Sequence, residues 1–449
     1  MDDFFKNKAL EYHSAGKHGK TSTVPSKPLD TPEELAMAYT PGVAAPAMEI
    51  SKDRWKAYRY TNKGNLVAVI SNGSSLLGLG NKGALASKPV MEGKAALFKT
   101  YADIDAFDIE ISDEEAEKVI STVQAIAPTF GGINLEDIKA PECFYIEKRL
   151  RGLLDIPVLH DDQHGTAVTV AAALFNACKV TGREITDTRI VICGAGAAAI
   201  SSATMLLETG IDKGQITMLD SKGVISTLRT GLNDLNEMKN RFATATTATT
   251  LSQAIEGADV FIGLSTGAIL SDSDVKSMAQ SPIIFALANP EPEVSYNRAK
   301  QLRPDAVVAT GRSDSPNQIN NVLSFPYLFR GALDTLSTTI NEAMKIAAAK
   351  AIAAIAREPA SREIEEQYGR TFTFGHEYIL PKPGDRRLLT EVSSAVARAA
   401  MESGVARRSI ASFEEYGRTL LSRIDSNNFF AREYVRHTMG SRHRIEKER

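Results

Sequence analysis

The sequence is poor in cysteine, tryptophan and histidine, and it carries no large excess of charge. Among 449 residues there are three cysteines, one tryptophan and seven histidines, and the formal net charge is −3. Cys143, Cys178 and Cys193 are an odd, widely spaced set, which argues against a disulfide framework and predicts reduced thiols in a cytoplasmic protein. A charge so close to neutral provides no broad basic field for nucleic acid, so that class of partner is set aside.

Long apolar runs are also missing. No stretch approaches the roughly 20 apolar residues that cross a bilayer, and the alanine-rich run 344–355 is interrupted by lysine. Residues 1–6 carry acidic side chains where a signal peptide would be basic, and no apolar core follows them. We therefore expect neither a membrane span nor a secretion signal.

Short apolar strands alternate with helices along most of the chain. The predicted strands are 66–70, 156–159, 189–192, 215–219, 260–262, 283–287 and 306–309, and the predicted helices include 113–127, 166–180, 331–357, 388–403 and 412–424. This alternation predicts an α/β fold with a Rossmann-type, doubly wound parallel sheet, an N-terminal α/β domain and a helical C-terminal region. A chain of this length also predicts two or three domains.

A glycine-rich turn follows the strand 189–192 and opens a helix. Its residues are Gly194, Ala195, Gly196, Ala197, Ala198 and Ala199, the accepted G-x-G-x-x-A variant of the dinucleotide fingerprint. Gly194 allows the tight turn, Gly196 lets the backbone approach a pyrophosphate, and Ala199 permits close contact between helix and strand. The alternative, a glycine-rich turn of another α/β protein, is less favoured because Asp220 follows at the expected distance.

The choice between NAD and NADP is open from these residues. Asp220 at the end of the next strand would accept a hydrogen bond from a ribose 2′-hydroxyl, which favours NAD. Ser221 and Lys222 follow directly and could hold a 2′-phosphate, which favours NADP.

Two acidic pairs stand at the ends of predicted elements. They are Glu136-Asp137 and Asp161-Asp162, each flanked by apolar residues. Buried carboxylates need a compensating cation, and three or four such oxygens suit Mg²⁺ or Mn²⁺. The alternative for each pair alone is helix capping or surface ion pairing. His160 and His164 do not indicate zinc, because no third soft ligand stands at suitable spacing.

Several single residues are candidates for chemistry. Lys94 lies in an apolar setting that can lower a lysine pKa and make it a base, although most lysines are solvated. Tyr39 precedes a rigid Pro-Gly turn and could serve as an acid, the alternative being a packing residue. Asn289 follows a buried strand, and Asn320 and Asn321 follow another; ligands bind at such strand ends, but asparagine is also a common turn residue.

These segments together resemble the malic enzyme family over about residues 10–430. The strings that carry the resemblance are YTPGVA (39–44), GLGNKGALASKPVMEGK (78–94), LEDIKAPE (135–142), HDDQHGTA (160–167), GAGAAAI (194–200), DSKG (220–223), FALANPEPE (285–293) and ATGRSDSPNQINNVL (309–323). The likeness is greatest to bacterial proteins, and among them to the malic enzyme part of hybrid proteins that carry a phosphotransacetylase-like domain. This chain ends about where that domain would begin, so we expect the domain to be absent.

The resemblance implies an activity: oxidative decarboxylation of L-malate to pyruvate and CO₂ with reduction of NADP⁺ or NAD⁺, dependent on Mg²⁺ or Mn²⁺. Lys94 matches the general base and Tyr39 the general acid. Glu136, Asp137 and Asp162 match the metal ligands, and Asp161 matches the carboxylate that tunes the lysine. Asn289 and Asn321 match residues near substrate and nicotinamide, and Asn320 joins them. The DSKG string favours NADP, and the family implies a homodimer or higher homo-oligomer.

The resemblance also implies domain bounds, and the chain differs from the family pattern at a few positions. It implies a catalytic domain over 1–162, a nucleotide-binding domain with C-terminal helices over 163–426, and a basic tail over 427–449. Lys82 replaces an apolar residue of many relatives, while Leu76 and Leu77 stand where the large eukaryotic type has a substrate-binding arginine. The residues that hold the malate carboxylates are therefore unassigned.

Three other functions are weighed against this one. A malolactic or oxaloacetate-decarboxylating enzyme would use the same site, and a malolactic enzyme would yield lactate with no net reduced cofactor. A nucleotide sensor without chemistry would not need Tyr39, Lys94 and three metal ligands together. An amino-acid dehydrogenase would not need the acidic set.

Overall fold

A computed structural model describes residues 3–14, 18–229 and 237–426. The predicted basic tail, 427–449, lies outside the described residues. The strands are β1 (Leu66–Ser71), β2 (Asp105–Glu110), β3 (Gly132–Leu135), β4 (Val158–His160), β5 (Ile190–Cys193), β6 (Ile216–Asp220), β7 (Gly223–Val224), β8 (Val260–Gly263), β9 (Ile283–Ala286) and β10 (Val307–Thr310).

Helices connect and cover these strands. They are α1 (Asp3–Ser14), α2 (Pro32–Ala38), α3 (Ala44–Lys52), α4 (Ala57–Tyr60), α5 (Ala84–Ala102), α6 (Ala116–Ile126), α7 (Glu142–Leu153), α8 (Asp161–Thr181), α9 (Ala197–Glu208), α10 (Glu237–Asn240), α11 (Leu251–Ile255), α12 (Asp272–Ser277), α13 (Tyr296–Leu302), α14 (Phe325–Asp334), α15 (Glu342–Arg357), α16 (Arg362–Tyr368) and α17 (Ser393–Glu402). A last helix, α18, spans 413–426, and a π-helical turn, Leu388–Val392, leads into α17.

The strands form two sheets. The first has the order β2-β1-β3-β4, and all its strands are parallel. The second has the order β10-β9-β8-β5-β6-β7, in which only β7 is antiparallel to its neighbour. Counted from β5, and starting at the β7 edge, this is the order 3-2-1-4-5-6 of a Rossmann sheet. The predicted fold class is therefore confirmed, and the order reverses between β5 and β8, where such folds bind ligands.

Both faces of each sheet are covered, which is why the strands are continuous apolar runs. Val67 and Val69 of β1 and Ile190 and Ile192 of β5 face one common core, which also contains α8, α14, α15 and α17. The opposite face of the first sheet packs against α6 and α7, and that of the second sheet packs against α11 to α13. The two sheets therefore share one layer of helices.

Helix α8 is the central element of this shared layer. Its residues Ala171, Ala172 and Ala173 are fully buried, and it packs against both α9 and α15. The sequence predicted its start at about residue 166, but the helix begins at Asp161, so both acidic residues lie in its first turn. Carboxylates are favoured there because they face the positive end of the helix dipole. None of the helices in the described ranges combines the length and apolarity needed to span a bilayer.

The C-terminal helices are anchored to the first sheet by a buried arginine. Arg330 of α14 is 1% exposed. Its guanidinium donates to Asp334 at 2.8 and 2.5 Å and to the side-chain oxygen of Asn65, just before β1, at 2.6 Å. Tyr416 of α18 also donates to Asp334, at 2.7 Å. This network joins α14 and α18 to the start of β1.

We expect Arg330→Leu to lower the free energy of unfolding by about 3–5 kcal/mol, because it leaves the Asp334 carboxylate without its buried partner. Urea denaturation followed by circular dichroism measures this change. The matched control is Arg298→Leu, which removes an exposed pair with Asp272 and should cost about 0–1 kcal/mol. Equal losses in the two variants would contradict the anchoring role of Arg330.

Candidate active site

Two pairs of acidic residues follow neighbouring strands of the first sheet. Glu136 and Asp137 come directly after β3, and Asp161 and Asp162 come directly after β4. Because β3 and β4 are paired in parallel, their carboxyl ends lie at the same edge of the sheet. The fold thus brings together two acidic pairs that are far apart in the sequence.

Lys94 of α5 points into this acidic cluster. Its Nζ donates to Asp161 and lies 2.9 Å from a carboxylate oxygen of Glu136, and only 7% of the residue is exposed. The same Nζ lies 4.0 Å from the centroid of the Phe325 ring, which adds a cation–π contact. The lysine is therefore held by two carboxylates and one aromatic face.

The cluster contains more negative than positive charge. Burial raises the pKa of Asp161 to about 7 and also raises the pKa of Glu136 and of Asp162. Burial acts to lower the pKa of Lys94, but the charges of Asp161 and Glu136 outweigh it and raise that pKa. The prediction that an apolar setting lowers the lysine pKa is therefore wrong for this arrangement, because the setting is anionic.

The backbone of Asp137 holds the two acidic pairs together. Its φ is 52°, in the left-handed region that aspartate adopts more readily than most residues. From there its N–H donates to a carboxylate oxygen of Asp162 at 2.8 Å, and its carbonyl accepts from the N–H of Ser75 at 3.0 Å. The end of β3 and the start of α8 are thus directly connected.

The donor chemistry of the cluster fits a hard divalent cation. Glu136, Asp137 and Asp162 supply carboxylate oxygens, which Mg²⁺ and Mn²⁺ prefer as ligands. Buried carboxylates that outnumber the single ammonium of Lys94 leave negative charge for a cation to neutralise. Among the described residues, no three acidic, histidine or cysteine side chains are already arranged around a common point as an ion would need. The ligand set therefore stays a prediction.

The two histidines beside the acidic pair differ in their partners. His160 is fully buried, burial lowers its pKa to about 4, and its Nε2 lies 3.7 Å from Asp162. The Nε2 of His164 lies 2.8 Å from Glu147, and its Nδ1 lies 3.0 Å from the Nζ of Lys345. Both ring nitrogens of His164 are therefore occupied by contacts with other side chains of the fold.

One glycine makes room for the Asp161 carboxylate. Asn321 donates from its side chain to Asp161, which places this predicted residue in the cluster. A Cβ atom at Gly165 would lie 1.9 Å from the Oδ1 of Asp161 and 2.9 Å from the Cβ of Asn321. Only glycine therefore allows Asp161 to reach Lys94 and Asn321 from the first turn of α8.

The other predicted residues lie outside this cluster. Tyr39 is 70% exposed, and within the described ranges its hydroxyl forms no hydrogen bond. The side chain of Asn320 accepts from the N–H of Val322 at 2.9 Å, so it caps a local turn. Asn289 is exposed after β9, close to Gly78, where a Cβ atom would lie 2.9 Å from the Asn289 carbonyl oxygen.

The predicted dinucleotide turn lies where the strand order reverses. Gly194 has a φ of 121°, and a Cβ atom there would lie 2.3 Å from the carbonyl oxygen of Leu264, directly after β8. Ala199 is fully buried against the common core, as close packing of helix and strand requires. In the described chain, α9 has no side-chain cap at Gly196, so its first amides can face a pyrophosphate.

Asp220 is surrounded by cations that the sequence did not indicate. Its carboxylate accepts from Arg229 at 3.0 Å, from Lys239 at 3.1 Å and from the N–H of Lys222 at 2.9 Å. Burial acts to raise the pKa of Asp220, but these donors outweigh it and lower the pKa. The Asp220 carboxylate at the end of β6 is therefore already paired with two cations, Arg229 and Lys239.

Sequence reasoning missed Phe325, Glu147, Arg229 and Lys239. None of them belongs to a recognisable motif, and each reaches its place through tertiary structure. Arg229 and Lys239 stand 9 and 19 positions after Asp220, a spacing that predicts nothing by itself. The motifs and spacings in the sequence therefore do not indicate the role of these four residues.

Comparison with known proteins identifies the class to which this site belongs. Residues 18–151 match the family described as "Malic enzyme, N-terminal domain", and residues 163–367 match "Malic enzyme, NAD binding domain". The chain belongs to the malic enzyme family, as the sequence predicted.

Particular relatives give the same result. The chain is 54% identical over 432 residues to the "NADP-dependent malic enzyme" of Escherichia coli, covering 96% of this chain but 57% of that protein. It is 52% identical to the "NADP-dependent malic enzyme" of Halomonas elongata, covering 91% of this chain and 96% of that protein. The crystal structure of a malic enzyme from Pyrococcus horikoshii matches with a TM-score of 0.88 and 42% identity, over 97% of this chain and 99% of that one.

We expect Gly165→Ala to lower the free energy of unfolding by about 1–3 kcal/mol, because the new methyl group collides with Asp161 and Asn321. Chemical denaturation measures the change. Gly152→Ala, in α7, is the matched control, since no atom lies within 4 Å of a Cβ atom there. The control should gain about 0.5–1 kcal/mol from the higher helix propensity of alanine. If Gly165→Ala is stabilising as well, the proposed close contact is absent.

Proposed function

We propose that this protein catalyses the oxidative decarboxylation of L-malate to pyruvate and CO₂, with reduction of NADP⁺ and dependence on Mg²⁺ or Mn²⁺. The observation that carries the proposal is the contact of Lys94 with Glu136 and Asp161 at the edge of the first sheet. That edge shares one helix layer with the dinucleotide turn at Gly194. The names of the relatives from Escherichia coli and Halomonas elongata support the same reaction.

In this proposal Lys94 acts as the general base in its neutral form, which a divalent cation would favour by offsetting the carboxylate charges that raise the pKa of Lys94. It takes the proton of the malate C2 hydroxyl, and a bound nicotinamide would supply the acceptor for the hydride that leaves C2 as oxaloacetate forms. Asp161 holds the lysine in place and, with Asn321, sets its direction. A divalent cation, held by Glu136, Asp137 and Asp162, would supply Lewis acidity that favours loss of CO₂ from the oxaloacetate.

Tyr39 acts as the general acid that protonates C3 of enolpyruvate, and Asn289, Asn320 and Asn321 lie beside substrate and nicotinamide.

The exposure of Tyr39 is shared by other side chains of the N-terminal arm, which comprises residues 3–14 and 18–60. This arm exposes many large apolar side chains, namely Phe4, Phe5, Leu10, Tyr12, Val24, Leu35, Met37, Val43 and Met48. Large apolar side chains are exposed at interfaces, so we propose a homodimer or higher homo-oligomer that covers these side chains and Tyr39.

Two further assignments remain proposals. Likeness to the malic enzyme part of the hybrid proteins is supported by the match to the Escherichia coli relative, of which the chain spans 57%. A cytoplasmic location is supported by three cysteines that are all free and buried.

A single assay tests the proposed reaction. We expect purified protein with L-malate and Mn²⁺ to form reduced cofactor and pyruvate in equal amounts, and faster with NADP⁺ than with NAD⁺.

The same assay tests the residue roles. Lys94→Ala should lower kcat by about 10²–10⁴-fold, because the general base is lost. Asp162→Asn should lower kcat and raise the Mn²⁺ concentration needed for half-maximal rate. Lys88→Ala, which removes a partly exposed lysine of the same helix, should leave kcat unchanged.

The other outcomes of the assay are equally informative. Lactate without reduced cofactor would identify a malolactic enzyme, and cofactor binding without any product would identify a sensor. Full turnover by Asp162→Asn would contradict the metal assignment.

The cations around Asp220 predict the cofactor preference. We expect Arg229→Gln to raise the dissociation constant of NADP⁺ by about 10–100-fold, since a charge-assisted hydrogen bond to the 2′-phosphate is worth about 1.5–3 kcal/mol. NAD⁺ has no 2′-phosphate, so its dissociation constant should not rise. Isothermal titration calorimetry measures both constants. Arg241→Gln is the control, because Arg241 is exposed and should affect neither. Equal weakening of both cofactors would contradict the assignment.

A further inference from the structure

Glu147 is a buried carboxylate that the proposed chemistry does not use. It lies in α7, 5% exposed, and accepts hydrogen bonds from the first turn of α8. The donors are the backbone N–H of His160 at 3.3 Å, the side-chain amide of Gln163 at 3.2 Å and the ring of His164 at 2.8 and 3.0 Å. Three donors from five consecutive residues converge on one carboxylate, and Asp161 and Asp162 stand between them.

Glu147 adds a further anion at the start of α8, beside Asp161 and Asp162 of its first turn. In the described chain His160, the residue before α8, forms no side-chain capping hydrogen bond. Exposed amides and the helix dipole at such an end favour an anion. Burial acts to raise the pKa of Glu147, but its neighbours, His164 first among them, outweigh it and hold the pKa at about 2. A carboxylate from a neighbouring helix thus holds the residue before α8 and two side chains of its first turn.

Lys345 contacts the second ring nitrogen of His164. Lys345 of α15 is 3% exposed, and its Nζ lies 3.0 Å from the Nδ1 of His164. An ammonium group only donates, so Nδ1 is the acceptor in this contact, and Nε2 is the ring nitrogen that donates to Glu147. Lys345 is in turn paired with Glu342 at 2.5 Å. An alternating chain of donors and acceptors therefore joins α15, α8 and α7.

The amide of Gln163 extends this network to the nucleotide-binding helix. While its nitrogen donates to Glu147, its oxygen accepts from the hydroxyl of Ser201 in α9, at 3.3 Å. The first turn of α8 is therefore held by α7, α9 and α15 at once. A turn restrained from three sides has little freedom to rotate, so the directions of Asp161 and Asp162 are set with it.

We propose that Glu147 is a positioning residue, which fixes the first turn of α8 so that Asp162 can bind the divalent cation and Asp161 can hold Lys94. This inference rests on the proposed function for the identity of the ligands, and no substrate or cofactor touches Glu147 in it. Outer partners that orient metal ligands change metal affinity by about 10–100-fold when they are removed.

The test is Glu147→Gln in the full chain. The amide keeps the shape of the side chain but has a single acceptor oxygen and turns an NH₂ group toward a donor. We expect the dissociation constant of Mn²⁺ alone, measured by electron paramagnetic resonance without malate or NADP⁺, to rise about 10–100-fold. The dissociation constant of NADP⁺ should not change, and kcat should fall.

A second variant, His164→Leu, removes one donor to Glu147. It should also raise the dissociation constant of Mn²⁺, which keeps the proposal testable if Glu147→Gln fails to fold.

The control is Glu117→Gln, since Glu117 lies on α6, is 55% exposed and bonds to Arg149 of α7. It should leave Mn²⁺ binding and kcat unchanged. A Glu147→Gln protein that unfolds more easily but binds Mn²⁺ and turns over as before would overturn the proposal and make Glu147 structural only. A parent protein that binds Mn²⁺ but forms no product from malate would overturn the proposed function instead, while the Mn²⁺ comparison would still decide the role of Glu147.

Discussion

The excess of negative charge buried at the carboxyl edge of the first sheet is the constraint on which the site depends. The buried Glu136 and Asp161 stand in low-dielectric surroundings with one ammonium group, Lys94, between them, and the half-buried Asp162 lies beside them. Such an arrangement is costly unless each charge is held and compensated. The left-handed Asp137, the missing Cβ at Gly165 and the aromatic face of Phe325 all serve to hold it.

Much of the fold follows from the sequence because the strands are buried on both faces. Parallel strands covered on two sides are continuous apolar runs, so β1, β5, β6, β8, β9 and β10 were predicted close to their observed bounds. β2 was missed because it is an edge strand with mixed polar residues and incomplete burial. The helix predicted over 331–357 is wrong: the chain breaks between α14 and α15, where Leu336 adopts a φ of 49°.

The site was predictable only where local motifs carry it. Lys94, Asp161 and Gly194 belong to strings with fixed spacing, and the structure places the first two in direct contact. Glu147 and Arg229 could not be found in this way, because an acid on an amphipathic helix and an arginine in a polar segment are ordinary in isolation. Glu147 acquires its role from neighbours more than ten positions away in the sequence. Arg229 acquires its role by pairing with Asp220.

The small residues of α8 determine how closely the elements of the shared helix layer pack. Ala171, Ala172 and Ala173 are buried in the layer between the two sheets, one sheet ending at the acidic cluster and the other at the dinucleotide turn. The methyl side chains of these three alanines therefore allow close packing within this layer. Hydride transfer requires close approach of two carbon atoms, and interiors this densely packed do not absorb an added side chain without displacement. The distance between the acidic cluster and the dinucleotide turn therefore depends on the thickness of a layer that contains these three alanines.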